Sequence, residues 1–134
     1  MITWSFTEPL RNEASIEEFE ANCGIQFPEA FKEIVLKHNN GYPSLNCFAL
    51  PYGENSQFEH LYSFNREDTE NIWNFNSREN LDAGMIAFAV DAFGNQIAFR
   101  AEDMAIVFID YDTNEVSYIA GDFSTFLSQL TDGE

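Results

Sequence analysis

The sequence predicts an α+β domain in which a mainly antiparallel sheet packs with helices, two of them near the N-terminus and one at the C-terminus. Three observations predict it. Helix signals are concentrated in residues 15–43 and return after residue 122. Short apolar runs and period-two alternation occupy 85–120. The loops between those runs are too short for the crossovers that a parallel sheet requires, so a meander follows. The chain has 134 residues, of which 45% are hydrophobic, enough for one domain over 1–134 with a sizeable core. Fourteen phenylalanines dominate that core. No repeat, low-complexity tract or linker divides the chain.

The elements follow in order. Residues 1–14 read as a lead-in, with Trp4 and Phe6 available to pack on the domain. Ser15 with Glu18 has the spacing of a capping box, and Ile16, Phe19 and Cys23 share one helical face. Gly24 can take the left-handed conformation that ends the helix. Pro28 and Glu29 suit the first turn of a second helix, whose apolar stripe is Phe27, Phe31, Ile34, Val35 and His38. Asn39, Asn40 and Gly41 tolerate positive φ, and Pro43 stops the helix. Cys47–Leu50 and Gln57–Phe64 are strand candidates, the second placing Phe58, His60, Tyr62 and Phe64 at period two. Residues 65–80 form a polar excursion, with a short helix expected near Asp68–Phe75. Four strands are then expected: Met85–Val90, Gln96–Arg100, Ala105–Asp110 and Val116–Ala120. Asp122 is a plausible N-cap for a closing helix with Phe123, Phe126, Leu127 and Leu130 on one face.

Charge narrows the class of partner. The net charge is −17, from 23 acidic and 6 basic residues. Phosphate contacts need Lys and Arg, so nucleic acid and anionic membranes are poor partners and a basic protein is favoured, the alternative being that the acidity serves only solubility. No apolar run approaches the roughly 20 residues that span a membrane. The N-terminal residues have no basic region followed by an apolar stretch, so a cytoplasmic location is expected. Cys23 and Cys47 sit in apolar surroundings without metal-binding spacing, and are expected to be free, small buried hydrophobes.

No set of residues assembles into catalytic machinery. Asp91, Asp110 and Asp112 could meet at strand ends, but their spacing suits turns better than a cation site. His38 and His60, the two imidazoles, lie within apolar patterns and read as structural. No nucleophile elbow or glycine-rich phosphate loop is present, so neither an enzyme activity nor a cofactor is expected.

The order of these blocks is similar to the SUKH superfamily, specifically its Smi–Knr branch. The resemblance rests on Ile16-Glu17-Glu18-Phe19-Glu20, Gly24-Ile25, Phe27-Pro28, Phe31 and Asn40-Gly41-Tyr42-Pro43. It continues in Met85-Ile86-Ala87-Phe88-Ala89 with Asp91, Gly94 and Asn95, and in Val116, Ile119, Phe123, Phe126 and Leu127. The chain departs from the pattern by carrying one glycine at Asn39–Tyr42 where many members carry two. Residues 51–80 hold no family signature and are the expected place for partner specificity. The resemblance implies an α+β fold and a non-enzymatic binding role. Bacterial members are commonly immunity proteins against toxins delivered between competing cells; fungal relatives regulate the cell wall through protein contacts, so an adaptor for an endogenous partner is the alternative. For a basic toxin such as a nuclease, the expected anchors are Tyr52 and Trp73, with Glu67, Asp68, Glu70, Glu102 and Asp103 as an acidic rim.

Overall fold

The computed structural model describes residues 2–133. Its elements are β1 (Trp4–Ser5), α1 (Ser15–Cys23), α2 (Glu29–His38), β2 (Tyr42–Pro43), β3 (Cys47–Ala49), β4 (Asn55–Leu61), α3 (Arg78–Asp82), β5 (Met85–Asp91), β6 (Gln96–Arg100), β7 (Ala105–Ile109), β8 (Val116–Ala120) and α4 (Phe123–Ser128). Strands β3 to β8 form a six-stranded antiparallel meander in chain order, and β1 pairs with β2 in a separate ribbon.

Register sorts the sheet into two faces, because directly paired residues point to the same side. Phe99 pairs with Ile86 and Ile106, and Ile97 with Ala89 and Phe108. This inner face meets the helices. Phe31 of α2 is central to it, with its ring against Phe27, Phe64, Phe88, Phe99 and Phe123 at centroid distances of 4.9–6.2 Å. Truncating a phenylalanine so enclosed costs about 3–5 kcal/mol. The sheet curls, so that Phe48 of β3 reaches Phe108 of β7, 6.0 Å between centroids, although three strands separate them. The outer face carries the rows Ala87–Ala98–Val107 and Val90–Gln96–Ile109. It continues at the sheet edge with the exposed side chains of Tyr118 and Val116.

Two polar locks order the N-terminal part, one within the helical pair and one joining it to the chain that leaves β4. Glu20 is buried at the α1–α2 break, where its carboxylate accepts the Phe27 N–H at 2.7 Å and lies 3.6 Å from the Lys32 ammonium. Asn39 ends α2, donating to the Glu8 carbonyl and the Ser63 hydroxyl and accepting the Phe64 N–H. Gly24 takes φ 68 at the end of α1, as its lack of a Cβ allows.

Several local expectations are corrected. Ser15 is the first helical residue and is buried; Ala14 is the N-cap, without a side-chain cap. The Asn12 side chain supplies the nearby turn bond instead, accepting from the Ala14 N–H. Gly41 is required by crowding rather than by positive φ, for a Cβ there would lie 2.7 Å from the His38 carbonyl and 3.0 Å from the Trp4 ring. The φ of 68 belongs to Asn40. A register shift in β4 pairs Phe58 with Asp91 and His60 with Val90, so Phe58 and His60 face opposite sides despite their period-two spacing. Residues 68–75 are a series of turns; the helix of this region is α3, where the Ser77 side chain accepts the Asn80 N–H. Both cysteines are free and only half-buried.

Candidate partner-binding surface

The excursion between β4 and β5 folds back on the sheet because small polar side chains satisfy its backbone. The Ser63 hydroxyl donates to Asp68 at 2.6 Å and accepts from the Asn65 N–H. Asn65 donates to Asp68 and to the Pro9 carbonyl, and accepts the Arg11 N–H. Asn71 donates to the carbonyls of Arg66 and Asp68 and accepts the Asn74 N–H. Asn76 reaches the sheet: its amide donates to the Ile72 and Ala87 carbonyls and its oxygen accepts the Ala87 N–H at 2.7 Å. It thereby replaces a neighbouring strand at the point where β5 outlasts β4. Phe75 then stacks on Tyr62, centroids 5.1 Å apart.

The excursion forms one wall of an open cleft of about 450 Å³ on the outer face. Val90, Gln96 and Ile109 make its floor, Phe75 and Asn74 one side, Tyr111 and Asn114 the other. Gln96 spans the floor, donating to the Tyr62 hydroxyl at 3.0 Å and the Phe75 carbonyl at 2.7 Å. Burial pushes the Tyr62 phenol up to about 12, so it stays a neutral hydroxyl at ordinary pH rather than a proton acceptor.

The residues expected to meet a partner are dispersed. Tyr52 is exposed in the β3–β4 turn, at the opposite end of the strands from Glu102 and Asp103 in the β6–β7 turn. Glu67 is exposed and lies 3.4 Å from Arg11. Asp68 is consumed by Ser63, Asn65 and the Arg11 guanidinium at 3.7 Å. Glu70 accepts from Nε2 of the buried His60 at 2.9 Å, while His60 Nδ1 faces the Leu61 carbonyl and the ring stacks on Tyr42. Trp73 is half-buried, edge-on to Phe19 and Phe64 and covered by the Arg66 guanidinium at 4.0 Å. Asp103 grips Arg100 through two bonds of 3.0 and 2.6 Å, holding its carboxyl down to about 2. Glu102 is exposed. Phe75, Phe93 and Tyr111 are exposed aromatics that sequence reasoning passed over; their signal is a ring placed in a polar stretch or beside turn residues, as in Asp91-Ala92-Phe93-Gly94-Asn95 and Asp110-Tyr111-Asp112.

Positive charge is confined. Arg11, Lys32, Arg78 and Arg100 each lie within 4.0 Å of a carboxylate, and Arg66 lies over Trp73. No Lys or Arg occurs between residues 38 and 65 or after Arg100. The turn aspartates are engaged locally: Asp91 accepts from the Phe93 and Asn95 N–H groups, the Asn95 amide and the Ser56 hydroxyl, and Asp110 from the Asp112 and Thr113 N–H groups. Among the described residues, no group of three or more His, Cys, Asp or Glu could hold a metal ion.

The architecture and motif order meet in one comparison: the model of the SMI1 / KNR4 family (SUKH-1) matches residues 12–129. The chain belongs to the SMI1/KNR4 family (SUKH-1). No curated protein matches it. The match takes in α1 through Gln129 and so includes both the helical pair and the whole meander. SMI1/KNR4 membership supports an immunity-like or related binding role, with a protein as the partner. Among the described residues, no helix is long and apolar enough to cross a membrane.

Proposed function

We propose that this SMI1/KNR4 protein is a cytoplasmic, non-enzymatic immunity protein that binds a basic toxin and occludes its active site or substrate surface. The distribution of charge carries the reading. The chain has a net charge of −17, its cations are largely neutralised in place, and its turns present carboxylates beside exposed aromatic rings. Such a surface complements the Lys- and Arg-rich surface by which a nuclease toxin grips phosphate. Long-range attraction would raise association toward about 10⁸–10⁹ M⁻¹s⁻¹ at low salt. Fast capture suits an inhibitor whose target does damage until it is bound. Of the residues expected from sequence, Tyr52, Glu67 and Glu102 are exposed, while Asp68 and Asp103 are bonded within their own loops.

Co-expression with a toxin domain encoded beside the gene tests this. Growth rescue and co-purification are expected, with an association rate that falls steeply between about 50 and 500 mM salt, a roughly threefold change in Debye length. Failure of both rescue and co-purification would refute toxin neutralisation, and a salt-independent rate would refute the electrostatic mechanism.

A further inference from the structure

Three turns close one end of the sheet: 50–54 between β3 and β4, 91–95 between β5 and β6, and 110–115 between β7 and β8. Each displays one aromatic side chain, Tyr52 at 58%, Phe93 at 80% and Tyr111 at 75% exposure. Among the described residues, no ring contact holds any of the three, so core packing does not account for them. Exposed rings clustered at one end of a domain mark an interaction site more often than scattered ones do.

The curl of the sheet brings the first and third of these turns together. Between them runs a groove of about 480 Å³, floored by Phe108 and walled by Tyr52, Glu54, Asp110, Thr113 and Glu115. The Tyr52 phenol is pushed up by the loss of solvent around it and then by the carboxylates of Glu54, Asp110, Glu115 and Asp91, which places those charges within electrostatic reach of the ring. No Lys or Arg lies in any of the three turns.

We propose that this turn-bearing end is the partner-binding surface, and that its groove takes an arginine side chain of a basic protein, the guanidinium lying on the Tyr52 ring between Glu54 and Glu115. The inference rests on the reading that the partner is a basic protein and says where and how it is held. A planar, delocalised cation fits an aromatic face flanked by separated carboxylates, since guanidinium both stacks and donates in its own plane. The same spread of carboxylates does not suit a metal ion. A second copy of this chain would bring a further charge of −17 and no cation of its own at this end.

The test is an amide NMR titration with acetylated, amidated tri-arginine. Amides of residues 52–54 and 110–117 should shift ahead of those on α1 and α2. Tyr52→Ala should weaken the peptide about threefold, and Glu54→Gln with Glu115→Gln about fivefold. None of these side chains takes part in a hydrogen bond of the fold, whereas Asp110 closes its turn and is left intact. Glu17→Gln, Glu18→Gln and Glu33→Gln together remove three charges from α1 and α2, against two from the groove, and should leave the footprint in place. Equal affinity in the groove variants, or an equal loss in the helix variant, overturns the proposal. In co-expression, the triple variant Tyr52→Ala, Glu54→Gln, Glu115→Gln should lose rescue. Rescue that survives in it overturns the placement and leaves toxin binding standing. Absence of rescue by the unmodified chain overturns the toxin reading, and the peptide footprint alone then decides the groove.

Discussion

Asn76 fastens the excursion to the sheet through three hydrogen bonds to backbone groups of Ile72 and Ala87, both fully buried residues. Asn76→Ala strands one N–H and two carbonyls. A buried group left without a partner costs about 1–3 kcal/mol, more reliably for an N–H than for a carbonyl. Asn76 also lines a cleft of about 340 Å³ beside Trp73, through which water can reach part of the site. Full loss at the Ala87 N–H and partial rewetting of the two carbonyls give a destabilisation of about 2–4 kcal/mol. In urea this is a fall in midpoint of about 1–2 M at an m-value near 2 kcal/mol/M. Asn76→Asp sharpens the test. It is nearly isosteric and can still accept the Ala87 N–H, but it turns a carboxylate oxygen toward two carbonyl oxygens. Repulsion plus the burial of a charge makes it less stable than the alanine variant at neutral pH. Urea unfolding of the three proteins checks both statements. A loss below about 0.5 kcal/mol for Asn76→Ala, or an aspartate variant at least as stable as it, would refute the account of Asn76 as a substitute strand.

Two further outcomes follow from local geometry. Asp103 titrates at about 2 in the folded chain, against 3.8 for the unperturbed group, first because it bonds the Arg100 side chain and then because it accepts the Ala105 N–H. Its folded value is depressed, so its contribution is present above pH 3.8 and lost as pH falls toward 2; carboxyl ¹³C shifts should place its midpoint near 2, and a midpoint near 3.8 would refute the bidentate pair. Gly41→Ala forces a methyl to 2.7 Å from the His38 carbonyl and 3.0 Å from the Trp4 ring. A loss of about 1–3 kcal/mol is expected, with a shifted Trp4 indole N–H resonance; unchanged stability together with an unchanged resonance would show that β1 and β2 are not held as described.

The fold was legible wherever hydrophobic period and turn chemistry acted alone. Gly24, Phe27–Pro28 and Phe31 read directly as a helix end, a step and a core face, and the four strands from Met85 to Ala120 fall within a residue of their expected bounds. What escaped was set by strand pairing and by side-chain bonds to the backbone. The register shift in β4 arises from its pairing with β5, and nothing between Phe58 and His60 announces it. Residues 68–75 carry apolar spacing that suits a helix, yet Asn71 and Asn76 draw their backbone into turns through side-chain bonds. The same limit applies to the surface. Net charge identifies an acidic protein but not which carboxylates are free, because Arg11 comes to Asp68 only in the folded chain.

That distinction separates the two acidic regions by use. In the excursion, Asp68 and Glu70 hold Ser63, Asn65 and His60 in position, so altering them changes the fold before it changes a partner. At the turn-bearing end, Tyr52, Phe93 and Tyr111 stand clear of the core, and their turns are closed by other groups: the Glu54 carbonyl, the Asp91 carboxylate and the Asp110 carboxylate. A ring there can be exchanged without opening a cavity or stranding a buried polar atom. Substitution at those three positions therefore leaves the core energetics nearly untouched while changing the chemistry offered to a partner. On the proposal that the turn-bearing end holds the partner, partner choice and stability fall to different residues of one sheet, joined by strands β4 to β7, whose buried faces tolerate neither kind of change.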